Sequence, residues 1–108
     1  MKQLKRIASF KRRNWPLGLY RVAGESMQPA LVDGQLLLGW RWGVPMAGRV
    51  VVARQGRPLV KRVAVIGEAG VWLLGDNAPA STDSRQFGHV PADKIEAVII
   101  WPRCSAAA

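Results

Sequence analysis

Pro58-Leu59-Val60-Lys61-Arg62-Val63-Ala64-Val65-Ile66 is an apolar run, Gly67-Glu68-Ala69-Gly70 a turn, and Val71-Trp72-Leu73-Leu74 a second apolar run. Runs of β-branched residues bounded by a short Gly-flanked break read as a β-hairpin. The break is too short to hold an inserted domain. Working outward, the same grammar repeats. Gly48–Arg54 is strand-like, and Gln55-Gly56-Arg57-Pro58 turns it into the Lys61 strand. Asp33-Gly34 is a turn before a buried strand at Gln35–Gly39. Leu19–Val22 is a short strand, and Ile95–Pro102 is a last one. No stretch is long enough for a helical bundle or a βαβ unit. The expected fold is therefore all-β, a small, partly open barrel of short strands with short peripheral helical turns.

The hairpin contains one residue out of keeping with its apolar neighbours. In period-2 alternation Leu59, Lys61 and Val63 share one face, and Val60, Arg62 and Ala64 the other. Lys61 is then expected to enter an apolar site while Arg62 points away and adds a positive field beside it. An exposed lysine has a pKa of about 10.4, so roughly one in a thousand is neutral near pH 7.5. Burial lowers that value and turns the amine into a base. A base needs a nucleophile, and Gly24-Glu25-Ser26-Met27-Gln28-Pro29-Ala30-Leu31 offers one. Gly24 permits a tight turn, Ser26 follows it, and Pro29 is tolerated at the start of one helical turn. A serine hydroxyl attacks only after something takes its proton. The single histidine, His89, has no evident carboxylate partner and reads as a surface residue beside Pro91.

The third segment is Gly75-Asp76-Asn77-Ala78-Pro79-Ala80-Ser81-Thr82-Asp83-Ser84-Arg85-Gln86-Phe87-Gly88-His89-Val90-Pro91. Asp76 and Asn77 are turn formers, expected to bond local backbone. Taken in order over about Val22–Pro91, the three segments resemble the signal peptidase I family of Ser-Lys endopeptidases. The Ala78–Arg85 stretch is similar to that of its nickel-type superoxide dismutase maturation proteases. The resemblance implies a signal-peptidase-like core and a catalytic dyad of Ser26 and Lys61. It also implies an oxyanion donor in the Ser26 backbone N–H, a Ser81 hydroxyl that orients the Lys61 amine, and a structural Asp83–Arg85 ion pair. Some members carry a hydroxyl two residues before the nucleophile; Gly24 stands there here, so that donor is absent. Met27 either packs the core or shapes the substrate groove, and Ser84 is structural. The implied activity is removal of a leader from a precursor polypeptide, with nickel-type superoxide dismutase as the sub-family's substrate. Two alternatives stand beside it: processing of exported or membrane-bound precursors, and a non-catalytic basic module that binds anionic surfaces.

Composition bounds these readings. The chain has 108 residues, 16 Lys or Arg against 7 Asp or Glu, and a net charge of +9. That length suits one domain, expected at 17–102 between a basic segment at 1–16 and a tail at 103–108. One cysteine, Cys104, and one histidine argue against a disulfide or a zinc site, and the mechanism requires no cofactor or metal. No apolar run suits a transmembrane helix, and no secretory signal opens the chain. The expected location is cytoplasmic or peripheral to a membrane. Lys2, Lys5, Arg6, Lys11, Arg12 and Arg13 lie before Trp15 with no acid among them. Leu4, Ile7, Ala8 and Trp15 share one side of a helical wheel. Residues 1–15 therefore read either as an amphipathic helix on an anionic membrane or as a disordered basic tail. Two tryptophans in Trp40–Met46 form either an interfacial anchor, a substrate rim or a cap on the core. No helix-turn-helix or basic-aromatic pattern points to nucleic acid.

Overall fold

The computed structural model describes residues 15–103. The readings of 1–16 and 103–108 as tails, and Cys104, therefore fall almost wholly outside the described residues. Among these residues, six strands form one antiparallel sheet: β1 (Leu17–Arg21), β2 (Leu36–Trp40), β3 (Val50–Gln55), β4 (Arg57–Gly67), β5 (Gly70–Leu74) and β6 (Ile95–Trp101). Their order is β1-β2-β6-β3-β4-β5. Helical structure is limited to single 3-10 turns at Ala78–Ala80 and Ala92–Lys94 and one short helix, α1 (Ser84–Phe87). The all-β expectation holds.

The central strand β3 explains how the sheet is buried. Val50, Val51, Val52 and Ala53 are all buried. Val50 and Val52 enter one cluster with Val22, Met27, Leu31, Leu37, Ala97 and Ile99. Val51 and Ala53 enter a second with Val63, Val71, Leu73, Val90 and Val98. An unbroken apolar run marks a strand covered on both faces. Val22–Leu31 covers one face, and the segment after β5 covers the other. Met27, only 1% exposed, is core packing; it does not line the cleft described below, which corrects the groove alternative.

β2 departs from expectation. It begins at Leu36, and only Leu37 and Gly39 are buried along it. Its other face carries Leu36, Leu38 and Trp40, which no segment covers to the same degree. The β4–β5 hairpin closes at Gly67↔Gly70. Gly70 has φ +122°, and a Cβ there would lie 2.6 Å from the Val90 carbonyl oxygen, so glycine is required.

Arg62 does point to the opposite side of β4 from Lys61, but it is not solvated. It is 7% exposed. Its Nε and Nη2 donate to Asp76 Oδ1 and Oδ2, both at 2.8 Å, and Nη1 donates to the Gly48 carbonyl. Asp76 is therefore more than a local turn former: it is the counter-ion of a buried cation. Removing one partner of such a pair leaves a charge without compensation and costs about 3–5 kcal/mol. Asp76→Ala is expected to lose about that much in urea unfolding. A loss below about 1 kcal/mol would mean that water solvates Arg62 in the variant.

Candidate active site

Ser26 sits in a loop pinned at several points. Gly24 has φ +91°, which suits glycine, and its N–H donates to Asp33 Oδ1 at 2.9 Å. The Leu31 N–H donates to the Met27 carbonyl at 2.9 Å, closing one turn that does not continue into a helix. Met27 and Leu31 are the buried pegs of that turn. Across the chain, the Asn77 N–H donates to the Ser26 carbonyl at 2.7 Å and Asn77 Nδ2 donates to the Glu25 carbonyl at 3.0 Å. Asn77 thus reaches a segment 52 residues away, not only its own turn. Gly75 is needed beside this clamp. A Cβ there would lie 2.6 Å from Ser81 Cβ and 2.7 Å from the Ser26 carbonyl oxygen.

Lys61 reaches the same point from β4. It is 4% exposed, and its Nζ donates to Ser26 Oγ at 2.8 Å. Burial pushes its pKa below the ordinary lysine value; the nearby Asp83 carboxylate opposes this, while Arg57 and Arg85 add to it. The positive field on the amine comes from Arg57 and Arg85. Arg62, expected to contribute, is occupied with Asp76.

Asp83 is fully buried. Its Oδ2 accepts from Ser81 Oγ at 2.7 Å, the Gly75 N–H at 2.9 Å and Arg85 Nη2 at 2.6 Å. Its Oδ1 accepts from Arg85 Nε at 2.9 Å and the Arg85 N–H at 3.1 Å. Burial by itself would raise its pKa, but these bonds outweigh it and hold the carboxyl well below the usual range. The Asp83–Arg85 pair is thus present. Ser81, in contrast, bonds to Asp83, and no hydrogen bond joins it to Lys61 among the described residues. It thus bonds to the carboxylate whose charge acts on the Lys61 amine. Asp83 also caps α1 in a capping box with Gln86, a pattern legible as Asp-x-x-Gln. Ser84 Oγ accepts from the Leu73 N–H at 2.8 Å, a structural role. His89 is exposed and meets Trp72 edge-on at 4.8 Å, away from the dyad.

Ser26 and Lys61 open into a cleft of about 640 Å³ between Leu19–Ala23 and Arg57–Lys61. Among the described residues, no group of His, Cys, Asp and Glu could hold a metal ion. No described helix is long and apolar enough to cross a membrane. A buried amine of lowered pKa, in contact with a hydroxyl at the edge of a cleft, can activate that hydroxyl when it is neutral.

Residues 64–102 match the family described as signal peptidase, peptidase S26. The chain is 37% identical over 62 residues to mitochondrial inner membrane protease subunit 1 of Xenopus tropicalis, covering 55% of this chain and 37% of that protein. It is 45% identical over 51 residues to mitochondrial ATP-independent inner membrane protease subunit 1a of Arabidopsis thaliana, covering 42% of this chain and 30% of that protein. The chain thus spans about a third of these curated relatives. The matches are thus to the signal peptidase family and to protease subunits, each over part of the chain.

The Asp83 cage sets a pH dependence. A carboxyl whose pKa is lowered on folding stabilises the fold above its unfolded value, near 3.8, and loses that contribution as pH falls toward the folded value. Wild type is expected to exceed Asp83→Asn in Tm at pH 6, with the gap closing as pH drops below about 3.8. A gap that stayed constant with pH would show that Asp83 stabilises without its charge.

Proposed function

We propose, on the premise of signal peptidase family relatives, that this chain is a serine endopeptidase that removes a leader from a precursor polypeptide. Residues 17–102 are its peptidase domain, and Ser26 and Lys61 are its dyad. The observation that carries the reading is the 2.8 Å contact between Ser26 Oγ and the buried Lys61 amine at the cleft.

In this mechanism the substrate lies extended in the cleft and adds itself to an open strand edge. Neutral Lys61 accepts the Ser26 proton as Oγ attacks the scissile carbonyl. The tetrahedral oxyanion takes a hydrogen bond from the Ser26 backbone N–H. Lys61 then gives its proton to the leaving amine, leaving an acyl-enzyme on Ser26. The same amine deprotonates water, which releases the acyl group. Asp83 and Arg85 keep the local field balanced, and Ser81 donates to Asp83 Oδ2. No step calls for a metal or cofactor. The Ala78–Arg85 resemblance points to nickel-type superoxide dismutase as the precursor.

A second reading, processing of exported or membrane-bound precursors at an anionic membrane, is favoured by one surface. Residues opposite each other in antiparallel strands share a face. The pairs Leu17↔Trp40, Leu19↔Leu38, Arg21↔Leu36 and Leu38↔Trp101 therefore put these side chains together. Leu17, Leu19, Leu36 and Trp101 are 37%, 67%, 43% and 58% exposed. Trp42, also exposed, packs edge-on against Trp40 at 6.0 Å. The face adjoins the point where the basic 1–15 run enters β1, a combination suited to an interface of headgroups and acyl chains.

Incubation of a nickel superoxide dismutase precursor with wild type, Ser26→Ala and Lys61→Ala, read by mass spectrometry, tests the first reading. Wild type is expected to cut at the leader junction, and each variant to lose at least about a thousand-fold in rate. The wild-type rate should climb with pH through a value below 10.5, as Lys61 loses its proton. A Ser26→Ala protein with unchanged function would leave only the basic binding module. For the second reading, the protein is expected to co-sediment with vesicles containing phosphatidylserine and far less with phosphatidylcholine alone. Leu19→Ser/Trp101→Ser should weaken that binding, and an unaffected double variant would discard the face.

A further inference from the structure

β4 is longer than its pairing with either neighbour. Arg57–Arg62 pairs with β3, while pairing with β5 starts only at Arg62↔Leu74. On the side away from β3, Arg57–Lys61 therefore has no strand partner among the described residues. β1 is an edge strand of the sheet, pairing with β2 alone. The cleft lies between these two edges. A peptide lying beside β4 advances at the strand's own rise, about 3.3 Å per residue. With its scissile carbonyl at Ser26 and Lys61, its side chain beside Arg57 belongs to a residue about four positions away.

Arg57 is well placed to meet that side chain. It lines the cleft, is exposed, and shares the Lys61 side of the strand by alternation. Among the described residues it has no hydrogen-bond or ion-pair partner. The cleft's other exposed arginine, Arg21, donates to the Gly34 carbonyl at 3.1 Å. Glu25 is the one acid lining the cleft, and it adjoins Ser26.

We infer that Arg57 is a specificity-determining residue, which receives an Asp or Glu side chain of the substrate about four residues from the scissile bond. This rests on the peptidase reading. Recognition is by charge and hydrogen bonding at an exposed site, so it is modest and salt-sensitive, about two- to five-fold at low ionic strength. Arg57 is also one of the charges that lower the Lys61 pKa. A substrate carboxylate seated on it offsets that charge, so an acidic peptide should be cut with its pH limb displaced upward from that of its neutral twin.

The test uses short alanine-based peptides that carry one Glu or one Gln, stepped outward from the cleavage position on either side. Binding to the Ser26→Ala protein, read by tryptophan fluorescence, reports recognition without turnover. Cleavage by the active enzyme separately reports the peptidase reading. One Glu peptide should bind about two- to five-fold tighter than its Gln twin, and the preference should vanish near 0.5 M salt. Arg57→Gln should abolish the preference, and Arg57→Lys should restore part of it. In the active enzyme, Arg57→Gln should also move the pH limb for the Gln peptide upward. Equal binding of every Glu and Gln pair, no binding of any peptide, or a preference that survives Arg57→Gln would each overturn the assignment. If the Glu preference is seen in binding while the active enzyme cuts nothing, recognition stands and the peptidase reading falls.

Discussion

Keeping a lysine amine out of water beside a serine hydroxyl is the constraint on which the rest of the site depends. An ammonium strongly resists burial, so the fold must either neutralise it or pair it. Here no carboxylate bonds directly to Lys61. The Asp83 charge that faces it is already taken up by Arg85, Ser81 and two backbone N–H groups. What reaches the amine is a muted negative field, opposed by Arg57 and Arg85. The balance lowers the Lys61 pKa, with burial as its largest cause.

That balance requires positions held to a fraction of an ångström, and the sheet supplies them. β3 sends alternate side chains into two cores, so β4 beside it is anchored from both faces. Met27 and Leu31 peg the Ser26 loop into one core. Leu73, Val71 and Val90 hold the Gly75–Asp83 segment over the other. Asn77 then ties the two segments together through the Ser26 and Glu25 carbonyls. Ser26 and Lys61 therefore meet where three separate pieces of chain converge, each fixed by burial.

Some of this was legible in residue order. The strands at β3, β4, β5 and β6 follow from β-branched runs between glycine turns, and the hairpin at Gly67–Gly70 follows from its length. The Asp83-x-x-Gln86 cap could also be read locally. Arg62 and Asp76 could not. Alternation placed Arg62 on the far side of β4 but said nothing of what covers that side, and Asp76 looked like an ordinary turn residue. Met27 was ambiguous because Met serves cores and grooves equally well. Resemblance places Ser81 beside the lysine, whereas its hydroxyl donates to the strongly accepting Asp83 carboxylate.

The residue order decided the class of fold and the chemical inventory: period-2 apolar runs can only pay off as sheet, and a Ser, a Lys and an Asp-Arg pair were present at readable positions. The tertiary structure alone decided which of those groups meet. Contacts such as Ser26–Lys61 and Asn77–Glu25 span 35 and 52 residues. No local pattern encodes them, because they arise from how the sheet buries both faces of its central strand. The same packing decides which cations stay in solvent. Arg62 is drawn into an ion pair with Asp76, while Arg57, at the start of the same strand, is left at the lip of the cleft.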